Sequence, residues 1–137
     1  MAVAAVTAWM GLSHTVSGQQ SGRSVWDGVY TREQAARGAE LYTQHCGACH
    51  APTLTGAEAP ALAGPEFSAN WNTLTLGDLF ERIRTSMPQD NPEALTAQQK
   101  ADVLAHMLSV GQFPAGMMDL PRDGQVLAQI RYLSTKP

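Results

Sequence analysis

Residues 41–52 read LYTQHCGACHAP. They hold both cysteines of the chain, Cys46 and Cys49, and His50 follows the second directly. Residues three apart lie on one side of a helical turn. If a helix carries into this stretch, the two thiols face the same way and the imidazole leaves from the next position. A chain that places its whole cysteine content beside one histidine reads as having a site there rather than scattered core thiols.

The spacing C-x-x-C-H is that of covalent c-type haem attachment. Two such thiols can each bond one vinyl group of the same porphyrin, and the histidine can then supply an iron ligand. Cys46 and Cys49 are therefore candidate attachment points and His50 a candidate axial ligand. Other chemistries use the same residue types. A Cys46–Cys49 disulfide suits an oxidising compartment. A thioredoxin-like pair expects a βαβ setting, which the flanking pattern lacks. A zinc site needs about four ligands, and the chain offers one cysteine pair with scattered histidines.

Working outward, the sequence predicts helices on both sides. Thr31 opens the helix that runs into Cys46, and Gln34 three positions on completes a capping-box pattern. Ala35, Gly38, Ala39 and Tyr42 recur at helical spacing on one face. That face is small apart from Tyr42 and admits close approach by another helix. Residues 51–75 are rich in Pro, Gly and Thr and read as a long loop of the kind that usually serves a site. Leu76, Leu79, Phe80 and Ile83 predict an amphipathic helix over 75–85. Pro88 stops it and pushes Met87 toward extended geometry just past the helix end. Thr96 caps a helix over about 97–110, with Ala101, Leu104 and Leu108 as its main stripe, Val103, Met107 and Val110 extending it, and Gly111 ending it. FPAGMMDLP is a turn-rich connector. Asp123 caps a last helix with Val126, Ile130 and Leu133 on one face. No convincing alternating strand and no internal repeat is visible. The expected class is all-α: three main helices, an extra C-terminal helix and a large loop.

The length suits one domain. A net charge of −3 without a Lys/Arg cluster speaks against nucleic-acid binding. MAVAAVTAWMGL is an apolar run too short to span a bilayer. Small and polar residues follow, with a plausible cleavage point near Gly18/Gln19, the outline of a secretory signal. No Lys or Arg precedes the run, which leaves three other readings open: a true start upstream, an uncleaved anchor, or an apolar tail. The expected organisation is a leader over 1–18, an irregular flank over 19–30 pinned by Trp26 and Tyr30, a main domain over 31–110, and an extension over 111–137. The expected location is the periplasm.

The order of helix, CGACH, proline-bearing GAEAPALAG loop, short helix, SMP segment and closing helix resembles a class I c-type cytochrome over residues 31–110. The flanks SVWDGVYT and FPAG…LPR are similar to a bacterial subgroup whose haem domains occur alone or beside quinoprotein dehydrogenases. The resemblance implies a cytochrome c fold around one covalent haem c. It implies that Met87 is the second axial ligand, which suits low-spin electron-transfer haem. Met107 reads as core, and Met117 and Met118 are weaker rivals. The family also has a proline carbonyl that receives the other N–H of the axial imidazole and fixes the ring. Pro60 fits best, with Pro65 as the alternative. Trp71 is placed either at the haem edge, its indole N–H toward a propionate, or in the core. Arg84 either meets a propionate or faces solvent. Gly38 and Tyr42 are expected against the closing helix near Leu104 and Leu108. His45 reads as solvated, His106 as exposed, and a bis-histidine haem through His106 as a minority alternative. His14 leaves with the leader.

Three functions follow. An electron carrier has iron held on both sides and no small-molecule substrate. A haem enzyme needs an open sixth position and distal proton-handling groups, and no distal His-Arg arrangement is visible. A dedicated subunit of a quinoprotein-type dehydrogenase shares the carrier's chemistry and differs in having a fixed partner. For the carrier, a dehydrogenase donor and an oxidase or second cytochrome as acceptor are the expected partners, and the chain is expected as a monomer or a dehydrogenase subunit.

Overall fold

The structure, a computed structural model, describes residues 22–137. The leader over 1–18 and His14 lie outside the described residues. The chain is helical: α1 Arg32–His45, α2 Gly47–His50, α3 Pro65–Trp71, α4 Leu76–Ser86, a 3-10 turn Pro92–Ala94, α5 Ala97–Val110 and α6 Gly124–Leu127. Among the described residues the only β-type pairings are single bridges from Arg131 to Ser24 and to Thr75. The fold is the all-α architecture expected.

The helix starts are chemically explicit. Thr75 caps α4, accepting from the Asp78 amide at 3.1 Å while Asp78 Oδ2 accepts from the Thr75 amide at 2.9 Å. Thr96 and Gln99 make the same reciprocal box at the start of α5. Thr31 caps α1 but its box is half made. Its hydroxyl accepts from the Gln34 amide, yet the Gln34 side chain turns inward. Gln34 is fully buried, donates to Asp102 Oδ1 at 3.1 Å and to the Leu120 carbonyl at 3.0 Å, and accepts from the Leu120 amide at 2.6 Å. Buried polar atoms must find partners, and here that demand outweighs the cap.

Helices α1 and α5 cross at Gly38. A Cβ there would stand 1.8 Å from the Asp102 carbonyl oxygen and 3.0 Å from His106 Cβ. Only a residue without a side chain permits that approach. The atoms of α5 nearest the crossing belong to Asp102 and His106. His106 is half-buried, its ring 5.4 Å from Tyr42, and burial lowers its pKa. It is not the exposed residue the sequence suggested, because the crossing covers it.

Two further expectations fail. Residues 51–75 contain a helix, α3, entered through Gly64 with φ +90° and begun by Pro65 in the first turn. Proline there lacks only an N–H that would be unpaired anyway, so a loop signal was in fact a helix start. The last helix is a single turn, with Val126 42% exposed while Leu127 and Ile130 are buried. Beyond it the chain runs extended as a strap. Arg131 donates to the Arg23 carbonyl at 2.8 Å and accepts from Val25 at 3.0 Å, and the Ile130 and Leu74 carbonyls and the Tyr132 carbonyl and amide close pairings with 73–76 at 2.8 Å. Extended pairing on two sides outcompetes a second helical turn.

The flank and the extension belong to the same core as the helices. Val25, Val29, Tyr30, Phe113, Leu120, Leu127, Ile130 and Tyr132 are buried with Tyr42, Leu76, Phe80 and Leu104. Trp26 Nε1 donates to the Leu133 carbonyl at 2.9 Å and Tyr30 Oη to the Phe113 carbonyl at 2.6 Å. Asp119 ties the connector to α1 through the Thr31 hydroxyl and, at 2.7 Å, through Arg37.

Replacing Gly38 with Ala would force α1 and α5 apart. A loss of about 3 kcal/mol is expected from overpacking, read by chemical denaturation. The Asp119 carboxyl is held below its ordinary pKa, first by the Thr31 hydroxyl and then by Arg37. A depressed carboxylate stabilises above its unfolded pKa and loses that contribution as pH falls through the folded value. The native protein should therefore lose up to about 1 kcal/mol more than Asp119→Asn as pH drops below 4, seen as converging denaturation midpoints.

Candidate functional site

The two cysteines lie where α1 gives way to α2. Cys46 ends α1, its amide donating to Tyr42, and the Cys49 and His50 amides return to the Cys46 carbonyl at 3.2 and 3.0 Å. The segment is thus one helical turn, with its thiols three residues apart on it. Neither thiol is in a disulfide; Cys46 is half-buried and Cys49 exposed. Burial, and secondarily the neighbouring Cys49, pushes the Cys46 thiol up to about 11. A dithiol redox pair works through a thiol of lowered pKa, so this environment does not suit that chemistry. Among the described residues no three His, Cys, Asp or Glu side chains group as a metal site.

His50 is 8% exposed, and its Nδ1 lies 2.7 Å from the Pro60 carbonyl oxygen. A carbonyl only accepts, so Nδ1 carries a proton, and in the neutral ring the lone pair is then on Nε2. Such an outer partner fixes the ring and raises its basicity as a ligand. Pro65 is occupied in opening α3, so of the two prolines it is Pro60 that faces the ring. The loop that brings Pro60 back is tied to the motif itself: the Gly56 amide donates to the His50 carbonyl at 3.0 Å and the Ala59 amide to the Cys49 carbonyl at 2.9 Å. Gly56 has φ +84°, and a Cβ there would meet the Ala61 nitrogen at 2.8 Å. Ala51 and Leu54 carry positive φ without being glycine, a strain that surrounding structure must maintain. Tyr42 Oη adds a bond to the Ala51 carbonyl at 2.7 Å.

Met87 caps the C-terminus of α4 in extended geometry, φ −128° and ψ 141°, its amide donating to Ile83. It is half-buried. Together with Cys46, Leu62, Ala63 and Trp71 it belongs to a partly buried apolar fringe packed on the core. Trp71 ends α3 beside Phe67, with ring centroids 6.0 Å apart. Arg84 is exposed and forms a two-point pair with Glu81 at 2.7 and 2.8 Å. The donor set fits a covalently held haem: two unpaired thiols on one turn, an imidazole with a free, oriented Nε2, a thioether, and apolar surface left incompletely covered. A separate cavity of about 560 Å³, lined by Tyr30, Arg32, Ala39, His106 and Phe113 among others, shares no residue with this set.

One residue of this region escaped the sequence reading. Lys100 is 3% exposed, although lysine is almost never fully buried. Its signal was its position, four residues before Leu104 on the stripe of α5 that faces the core.

No curated protein and no solved structure matches the chain at a significant level. Residues 33–107 match the family described as cytochrome c oxidase, cbb3-type, subunit III. The matched span begins within the first turn of α1 and ends within the last turn of α5, so it takes in the helix crossing, the CGACH turn and Met87. Covering more than half of the sequence, it shows that the chain belongs to this family of class I c-type cytochrome domains.

Proposed function

We propose that the chain is an exported monohaem cytochrome that carries single electrons between redox proteins. In this reading haem c is joined through Cys46 and Cys49, with His50 and Met87 as axial ligands. The observation that carries it is the 2.7 Å bond between His50 Nδ1 and the Pro60 carbonyl, which fixes the ring and engages Nδ1, so that Nε2 would be the nitrogen to meet an iron. When bound, the haem supplies an iron that gains and loses one electron. The protein's residues hold the imidazole by Pro60 and present a thioether from the end of α4. Partly buried apolar side chains, Leu62, Trp71 and Met87 among them, would supply the haem's apolar surroundings, and Cys49 is exposed. Two fixed axial ligands leave no open position for substrate, which favours a carrier over an enzyme.

A dehydrogenase as donor and an oxidase or second cytochrome as acceptor fit this role. The alternative of a fixed dehydrogenase subunit needs a free docking element. The flank and the extension bury Tyr30 and Tyr132 against their own domain. Export rests on the leader over residues 1–18. Among the described residues no helix is long and apolar enough to cross a membrane.

Two measurements test the reading. Protein matured in a haem-attaching host should show a covalent haem by mass and by its pyridine haemochrome. Cys46→Ala with Cys49→Ala should lose that mass and much of its helical signal, because a ligand bound only by the folded state stabilises it. Met87→Ala should open the sixth position, lower the reduction potential and admit carbon monoxide rapidly to the reduced protein. An unaltered oxidised spectrum in that variant would remove Met87 from the ligand set.

A further inference from the structure

We propose that Lys100 is a positioning residue for Met87, its side chain closing the loop that carries the methionine. This rests on Met87 as the axial ligand. Lys100 Nζ donates to the Arg84 carbonyl at 2.8 Å and to the Pro92 carbonyl at 2.6 Å. Those two carbonyls bracket residues 85–91, with Met87 inside. Lys100 thus joins the last turn of α4 to the 3-10 turn that precedes α5.

The need for such a donor follows from the sequence of the loop. The Arg84 carbonyl would ordinarily accept from the amide of residue 88, but residue 88 is Pro88, which has no N–H. The proline that ends α4 and sets Met87 in extended geometry therefore leaves a carbonyl open on the stem behind it. An ammonium can donate to that carbonyl and to a second one at once. Within the loop the Asn91 amide returns to Pro88 at 3.1 Å and the Ala94 amide to Asn91 at 3.0 Å. These bonds shape the tip, whereas Lys100 ties its two stems.

Holding a charge in the interior is costly. Burial lowers the Lys100 pKa, with Arg84 acting in the same direction and Glu93 opposing. An apolar residue at this place on the α5 stripe would pack without that penalty. The lysine is explained by the two carbonyls it satisfies. Because they lie at either end of the methionine loop, the loop cannot swing away without breaking at least one charged hydrogen bond. The clamp acts on the sixth position through the backbone rather than by touching it.

The test uses the full haem-loaded chain in its oxidised form and follows the rate at which imidazole replaces the methionine. Hydrogen exchange at the Asn91 and Ala94 amides is measured alongside. Lys100→Met keeps the aliphatic stem and removes the donor, so imidazole binding should accelerate on the order of tenfold to a hundredfold, as expected when a charged hydrogen bond holds the closed state. Exchange at both amides should accelerate with it. Lys100→Gln, shorter and neutral, should show the same direction and serves if Lys100→Met fails to load haem. Tyr30→Phe loses a buried hydrogen bond beyond the other end of α5, roughly 15 Å along the helix, and should leave the rate unchanged. A haem-loaded Lys100 variant that binds imidazole at the native rate overturns the proposal. So does failure of both variants to load haem while Tyr30→Phe loads it, since Lys100 would then serve folding rather than the loop. Met87→Ala separates the two readings: if it too leaves spectrum and rate native, the axial assignment of Met87 has failed rather than the clamp.

Discussion

Helix α1 crosses α5 at Gly38 with no room for a side chain between them. A backbone carbonyl of α5 occupies the space a side chain would take, so the two helices are fixed in one register. Much else is hung from that contact. The C-terminal end of α1 delivers Cys46 and the turn that follows it, and the N-terminal end of α5 delivers Lys100 to the far side of the methionine loop. Polar groups seal the same crossing. Asp102 receives Gln34, Gln98 and Arg37, and Gln34 carries the network on to the Leu120 backbone. A buried carboxylate is tolerable only when it is so satisfied, and these bonds tie three separated segments together at one place.

Around the candidate haem site the organising principle is backbone accounting. The loop after His50 has little regular structure of its own, yet its amides return to the carbonyls of Cys49, His50 and Leu54. The imidazole joins the same scheme through Pro60. On the other side, Pro88 breaks the hydrogen-bond pattern of α4 and Lys100 repairs it. The two candidate iron ligands are thus each held by a proline, by opposite means. Pro60 contributes a carbonyl that receives a proton, whereas Pro88 withholds an N–H and so creates the demand that Lys100 meets.

The segments outside the matched family span complete the core rather than decorate it. Phe113 and Tyr132 stand edge to face at 5.2 Å, Trp26 meets Phe113 at 4.9 Å, and Phe67 meets Tyr132 at 5.9 Å. This aromatic chain links the N-terminal flank, the connector, the strap and α3. Such pairs add to the burial of their area, and here they fasten α3, whose far end is Trp71, to the C-terminal strap.

The amino-acid sequence alone determined the starts of α1, α4, α5 and α6, the extended geometry at Met87 and the all-α class. These are local matters: hydroxyl caps within three residues, a proline's effect on its neighbour, a periodic apolar face. Where a local signal had two meanings, tertiary structure chose. Thr96–Gln99 and Thr31–Gln34 are the same motif, yet only the first closes its box, because Gln34 is claimed by a buried carboxylate and a backbone segment 86 residues away. Pro65 lies in a stretch whose Pro, Gly and Thr content reads as loop, yet it opens α3, where Phe67 packs against Tyr132. The last apolar stripe reads as helix until Arg131 finds extended partners on both sides. The burial of His106 and the buried position of Lys100 belong to this second kind. Each depends on which distant groups arrive beside the residue, and no spacing along the chain encodes that arrival.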